Sequence, residues 1–165
     1  IMPSFVKLDF SDLPELIGAF AYGPLAGAAI AVVKNLIHVV VSQSAGIGEL
    51  SNALLGIAFA VFAGLVYKIK KTRKTALLAG SCAAAVMALV SWPLNYFIIY
   101  PLYYSVMGFP EVAILGMYQA LLPAVSSIAQ ALLIFNVPFT LVKGLLCVAI
   151  AMVIYKPLSH VLKKK

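Results

Sequence analysis

The stretch ELSNALLGIAFAVFAGLVYKIKKTRK, residues 49–74, decides the fold class. Nothing between Glu49 and Lys68 carries a charge, and a run of that length crosses a hydrocarbon core of about 30 Å as a helix. It then stops abruptly in Lys68, Lys70, Lys71, Arg73 and Lys74. The rest of the chain repeats the theme. Hydrophobic residues make up 64% and charged residues only 10%, with a mean hydropathy of +1.07. A soluble domain of 165 residues has too little interior to hide that much apolar surface. The reading is an all-α integral membrane protein, a single transmembrane domain.

The positive charges set its orientation. Of twelve Lys and Arg residues, five lie in the first cluster and four at the C-terminus, Lys156, Lys163, Lys164 and Lys165. Loop Lys and Arg concentrate on the cytoplasmic side, so both clusters, and with them the C-terminus, are expected there. The net charge of +7 does not suggest nucleic acid, because the basic residues flank spans and lack an interleaved aromatic platform. They read as topology signals touching the lipid bilayer.

Helices are expected at about 12–22, 24–42, 49–68, 75–100 and 138–156. The apolar stretch from Leu13 to Val41 would be about 44 Å long as one helix, so Tyr22-Gly23-Pro24 is read as a break. Ser11 or Asp12 can cap the first helix. Residues 101–137 are read as a loop or lid on the outer face. If 111–135 crossed the bilayer, the terminal lysines would emerge on the wrong side. In this arrangement all five acidic residues, Asp9, Asp12, Glu15, Glu49 and Glu111, face outward. The chain opens at Ile1-Met2-Pro3 with no visible signal peptide, and reads as a cut inside a longer protein.

Polar residues inside apolar runs are the candidates for function. Lys34, Asn35 and His38 project in one direction from the middle of a span, either as an internal hydrogen-bond network or as the wall of a ligand pocket. Thr140 and Lys143 share a face near the outer end of the last span, with Asn136 just before them. Lys143 could snorkel to the headgroups or meet a buried ligand. Asn95 sits among Trp92 and Tyr96, at the depth of an aromatic belt. Cys82 and Cys147 read as packing thiols, and His38 and His160 lack ligand-spaced neighbours, so no metal site is expected. Neither a phosphate-binding G-x-x-x-x-G-K-[ST] loop nor a membrane-embedded carboxylate dyad nor a Ser/His/Asp set is visible. An enzyme is therefore not expected.

Four motifs carry a resemblance. Pro3-Ser4-Phe5-Val6-Lys7-Leu8-Asp9-Phe10-Ser11-Asp12-Leu13-Pro14, Gly18-Ala19-Phe20-Ala21-Tyr22-Gly23-Pro24, Lys34-Asn35-Leu36-Ile37-His38 and Pro138-Phe139-Thr140-Leu141-Val142-Lys143-Gly144, in that order, resemble the riboflavin-binding S components of energy-coupling-factor (ECF) vitamin transporters. The resemblance implies a six-helix bundle in the bacterial cell membrane, of which this chain carries the last five helices. It implies a vitamin bound near the extracellular face beneath loops, with Thr140 and Lys143 facing the isoalloxazine ring. Asn95, Asn35 and the loop residues Leu8 and Asp9 are the further ligand contacts it suggests. Many relatives carry Asn at the Thr140 position. No resident cofactor is implied, riboflavin being the cargo. The implied partners are a transmembrane coupling subunit and two cytoplasmic ATPases, and the implied motion is a toppling of the whole subunit within the membrane. The alternatives are an S component for thiamine, folate or biotin, or a structural membrane subunit.

Overall fold

In the computed structural model, residues 10–42 and 44–162 are described, with side chains up to Tyr155. Every regular element among them is helical: α1 (Asp12–Tyr22), α2 (Pro24–Val39), α3 (Ile47–Ile69), α4 (Arg73–Leu94), α5 (Tyr100–Val106), α6 (Glu111–Gln119), α7 (Ile128–Ala131) and α8 (Val137–Leu162). Two π turns, Asn95–Ile99 and Leu132–Asn136, join α4 to α5 and α7 to α8.

The expected break at Tyr22-Gly23-Pro24 is a reversal. Gly23 adopts φ +102°, a backbone state that a side chain would strain, and Pro24 starts α2 at a position where its missing N–H costs nothing. The chain folds back, so that α1 lies along α2. Gly27 approaches Ala19 so closely that an added Cβ would sit 2.7 Å from the alanine's own. Further along the same hairpin, Lys34 comes beside Ser11 and Asp12. α2 is helical only to Val39, about 24 Å, shorter than the expected 24–42.

Three helices are long and apolar enough to cross a membrane, Ile47–Ile69, Arg73–Val106 and Ile128–Tyr155. The last two overrun the boundaries expected from sequence. Proline reads as a helix stop because it lacks an N–H, and the last span was accordingly expected to start at Pro138. Here each π turn ends two residues before a proline, Ile99 before Pro101 and Asn136 before Pro138. A widened turn skips a hydrogen bond, and next to proline that bond is already missing, so the helix continues through it. The segment expected as a loop or lid over 101–137 therefore shrinks to the stretch between α5 and α7, holding α6 and two turns. Thr72 and Ser127 cap α4 and α7, their side-chain oxygens accepting from the backbone N–H groups of Thr75 and Gln130.

The bundle has two apolar cores. One joins α1, α3, α4 and α8 around Leu16, Phe59, Tyr67, Met87 and Val148. Its α4 face is a run of small residues, Ala76, Ala79, Gly80, Ala83 and Ala84, all buried, which lets α8 pack closely. The other joins the π turns to α5, α6 and α7 around Ile99, Tyr100, Ile114, Tyr118 and Leu132. Large apolar side chains such as Leu25, Val40 and Val153 point away from both, as lipid-facing residues do.

Candidate ligand-binding site

A cavity of about 660 Å³ opens where the two cores meet. Leu55 and Met87 line it from the first core, Ile99, Tyr100 and Ile114 from the second. Its size and its apolar walls suit a small organic ligand, and such sites gain specificity from a few placed polar groups. Here those groups come from five elements. Ser51 and Asn52 belong to α3, Asn95 and Asn136 to the two π turns, Thr140 and Lys143 to α8, and Asp12 to α1.

The π turns position the asparagines. Asn95 is the first residue of one and Asn136 the last of the other, and both are buried. Asn95 spends its amide within the bundle, donating to the Ser91 carbonyl at 2.7 Å and accepting from the Ser51 hydroxyl at 3.3 Å. Asn136 accepts at Oδ1 from the Tyr118 hydroxyl at 2.8 Å. Tyr118 in turn meets the Tyr100 hydroxyl at 2.5 Å. Burial pushes the Tyr118 phenol up to about 12, so it remains a neutral donor at ordinary pH.

Beneath the cavity lies a set of four charges. Lys34 Nζ reaches Ser11 Oγ at 2.8 Å, Asp12 Oδ1 at 3.1 Å and Glu15 Oε1 at 2.5 Å. Asp12 Oδ2 pairs with Lys143 Nζ at 3.0 Å. Asp12 thus bridges two ammonium groups, so that among the described residues two lysines meet two carboxylates. The Glu15 contact with Lys34 is an ion pair by distance without hydrogen-bond alignment, and Glu15 Oε2 has no hydrogen-bond donor. That oxygen packs on Gly56, where an added Cβ would fall 2.3 Å away. In a buried set like this the mutual attraction mainly offsets the cost of leaving water.

Several sequence expectations change. No embedded carboxylate pair was expected, yet Asp12 and Glu15 stand as one. Both are buried inside the bundle, because the hairpin at Gly23 brings α1 down alongside Lys34. Ser11 makes no helix-capping hydrogen bond through its side chain; its oxygen serves Lys34 instead. Lys34, Asn35 and His38 do not form one polar wall. Lys34 turns to α1, Asn35 is buried with its amide on the Ala31 carbonyl at 2.8 Å, and His38 is exposed at the cavity edge. Asn35 is not among the cavity-lining residues, since its amide is used one turn back along its own helix. Lys143 is 7% exposed and ion-paired, so it does not snorkel. Leu8 and Asp9 lie outside the described residues. Lys143, Thr140 and Asn95 do line the cavity together.

The family model for the ECF transporter, substrate-specific component, matches residues 1–155. The chain belongs to this family. Among curated relatives, the S component is 30% identical to the riboflavin transporter RibU of Staphylococcus aureus over 163 residues, covering 99% of this chain and 80% of that protein. The riboflavin transporter FmnP of Bacillus subtilis is 26% identical over 157 residues, 93% of this chain and 77% of the relative. A solved structure of the S component of a bacterial ECF transporter superposes with a TM-score of 0.74 at 31% identity, covering 99% of this chain and 84% of the other. The S component's all-helical, membrane-embedded architecture is therefore that of its family.

Sequence reasoning missed the site roles of Asp12, Glu15 and Tyr118 in this S component. A charge-balance argument would have found the first two. Two lysines inside apolar stretches require partners, and Asp12 and Glu15, spaced i and i+3, present two carboxylates on one helix face. Tyr118 had no such signal, because only the fold of α6 over the π turn brings it to Asn136.

Proposed function

We propose that this S component binds riboflavin as the capture subunit of an ECF importer, with the ligand in the cavity between the two cores. The observation that carries the reading is the cavity's chemistry. A flavin ring is a broad, flat, largely apolar body edged by imide and carbonyl groups. This cavity pairs aliphatic and aromatic walls with Lys143, Thr140, Asn95 and Asn136. Two relatives named as riboflavin transporters align along nearly the whole chain, which supports the same ligand. Lys143 and Thr140 face the ring in this reading, and Asn95 adds a carbonyl lone pair beside Ser51.

Riboflavin is cargo, with no resident cofactor, and the subunit performs no catalysis. ATP-driven movement belongs to partners, a transmembrane coupling subunit and two cytoplasmic ATPases. The end of the bundle carrying Lys68 to Lys74 lies in the cytoplasm, as does the C-terminus, with the cavity facing outward in accordance with the positive-inside rule.

The test is titration of riboflavin into the detergent-purified protein, read by quenching of flavin fluorescence, beside thiamine, biotin and folate read by calorimetry. Saturable quenching at one site per chain, without competition by the other vitamins, is the expected result. Tighter binding of another vitamin would transfer the site to that ligand, and no binding of any would sink the capture role.

A further inference from the structure

One side of the cavity carries an acid that the charge set beneath it does not use. Glu49, in the first turn of α3, lines the cavity together with Ser44 and Asn52 and is partly buried. Its Oε2 accepts from the Ser42 hydroxyl at 2.6 Å and from the Ser44 hydroxyl at 3.1 Å. Those hydroxyl oxygens in turn accept from the backbone N–H groups of Gly46 and Gly48, each at 3.0 Å. The Ile47 N–H donates to the Ser44 carbonyl, also at 3.0 Å. The start of a helix ordinarily attracts anions through its open N–H groups and its dipole. Here the chain's own serines and a carboxylate fill that place. Among the described residues no cation pairs with Glu49, since Lys34 and Lys143 both pair with α1. His38, the other ionisable side chain from this part of the chain, is exposed to water, where its field is screened.

The two ends of the cavity differ in chemistry. Glu49, Asn52 and Gly56 share one face of α3. Gly56 packs against Glu15, one turn along α1 from Asp12, which holds Lys143 at 3.0 Å. Glu49 therefore stands about 10 Å along α3 from the level of that charge set. The Lys143 end, with Leu55 and Met87, suits a flat apolar ring. The Glu49 end offers hydroxyls, an amide and a carboxylate, which suit a flexible chain of hydroxyl groups. A carboxylate accepts strongly from hydroxyls and repels another anion. We propose that Glu49 is a specificity-determining residue for the ligand's tail. Its carboxylate accepts from the ribityl hydroxyls and disfavours a terminal phosphate, so that the site selects riboflavin over riboflavin 5′-phosphate. The inference rests on the flavin reading above. The phosphate ester carries about two negative charges at neutral pH, and no described Lys or Arg lines the cavity at the Glu49 end to receive them.

The experiment measures the affinities of riboflavin and riboflavin 5′-phosphate by fluorescence quenching, at low and at high salt. It compares the unsubstituted protein with Glu49→Gln and Glu49→Asp, with ligand-free melting temperatures alongside. The unsubstituted protein is expected to favour riboflavin by about tenfold or more, the scale of one like-charge contact at a partly exposed site. Glu49→Gln keeps the shape and an acceptor oxygen but removes the charge. It should change riboflavin affinity by about threefold or less, and shrink the preference to about threefold or less. Glu49→Asp keeps the charge and should keep the preference. High salt should narrow the preference of the unsubstituted protein and leave that of Glu49→Gln nearly unchanged. A merely structural role, tethering the turn before α3, would weaken both ligands by the same factor, lower the melting temperature and leave the preference intact. That result overturns the inference, as does equal affinity of the unsubstituted protein for the two flavins. If Glu49→Gln does not fold, the salt series decides, and a preference independent of salt overturns the inference. Failure of the unsubstituted protein to bind either flavin is a different outcome, which removes the flavin reading itself and the inference with it.

Discussion

Lys34→Met is the most informative single perturbation of the bundle. The substitution keeps the aliphatic stem and removes one of two cations from a balanced set of four charges. Asp12 at 2% and Glu15 at 0% exposure are then left with Lys143 alone, which reaches Asp12 but forms no described pair with Glu15. Glu15 loses its 2.5 Å partner with no water to replace it. Breaking a buried pair in this way costs about 3–5 kcal/mol, well above the roughly 0–1 kcal/mol of an exposed pair. At about 2–4 °C per kcal/mol for a chain of this size, the melting temperature should fall by roughly 6–20 °C. The assay is thermal unfolding in detergent without ligand, at low and at high salt. Because the pair is buried, the loss should be nearly the same in both. Adding Glu15→Gln should return a substantial part of it, since it removes the buried carboxylate that Lys34→Met leaves without its cation. A drop of less than about 2 °C, or a double variant less stable than Lys34→Met, would refute the claim that these charges are desolvated and mutually compensating.

Lys143→Met should lower riboflavin affinity by tenfold or more, the scale of a charged hydrogen bond in a dry site, measured by quenching; a snorkelling lysine would leave affinity unchanged. Gly56→Ala places a methyl group 2.3 Å from Glu15 Oε2 and should cost about 1–3 kcal/mol, read as a lower melting temperature. Relief of that loss in Gly56→Ala/Glu15→Ala would show that the carboxylate is the obstacle. The Tyr118 phenol, raised by burial from 10.0 to about 12, favours the fold in its neutral form. Its contribution to stability is therefore complete below pH 10 and declines as pH rises from about 10 to about 12. Tyr118→Phe should flatten that part of the alkaline stability profile.

The helical membrane class, the break at Gly23-Pro24 and the α3 span are legible in the sequence because each follows from local chemistry. Uninterrupted apolar runs cannot stay in water, and a Gly-Pro pair does not continue a helix. The misplaced boundaries at 100 and 138 come from the same local logic applied where it fails. Pro101 and Pro138 look like stops, yet a π turn ahead of each lets the helix pass, and nothing in the residues before Pro138 announces that turn.

The site divides along the same line. Lys143, Thr140 and Asn95 could be picked out one at a time, since a polar side chain in an apolar run is costly wherever it points. Their neighbours could not. Lys34 meets Asp12 and Glu15 only because Gly23 folds α1 back along α2, and Asn136 meets Tyr118 only because a separate helix, α6, packs beside the second π turn. The sequence by itself determined that this chain lives in a membrane, where most of its helices run and which groups cannot face lipid, because transfer from water to hydrocarbon is a property of each residue. Which charges pair with each other, and which polar groups from separate helices meet at the cavity, follows from the folded arrangement, because such pairing depends on distances between elements that no local pattern encodes.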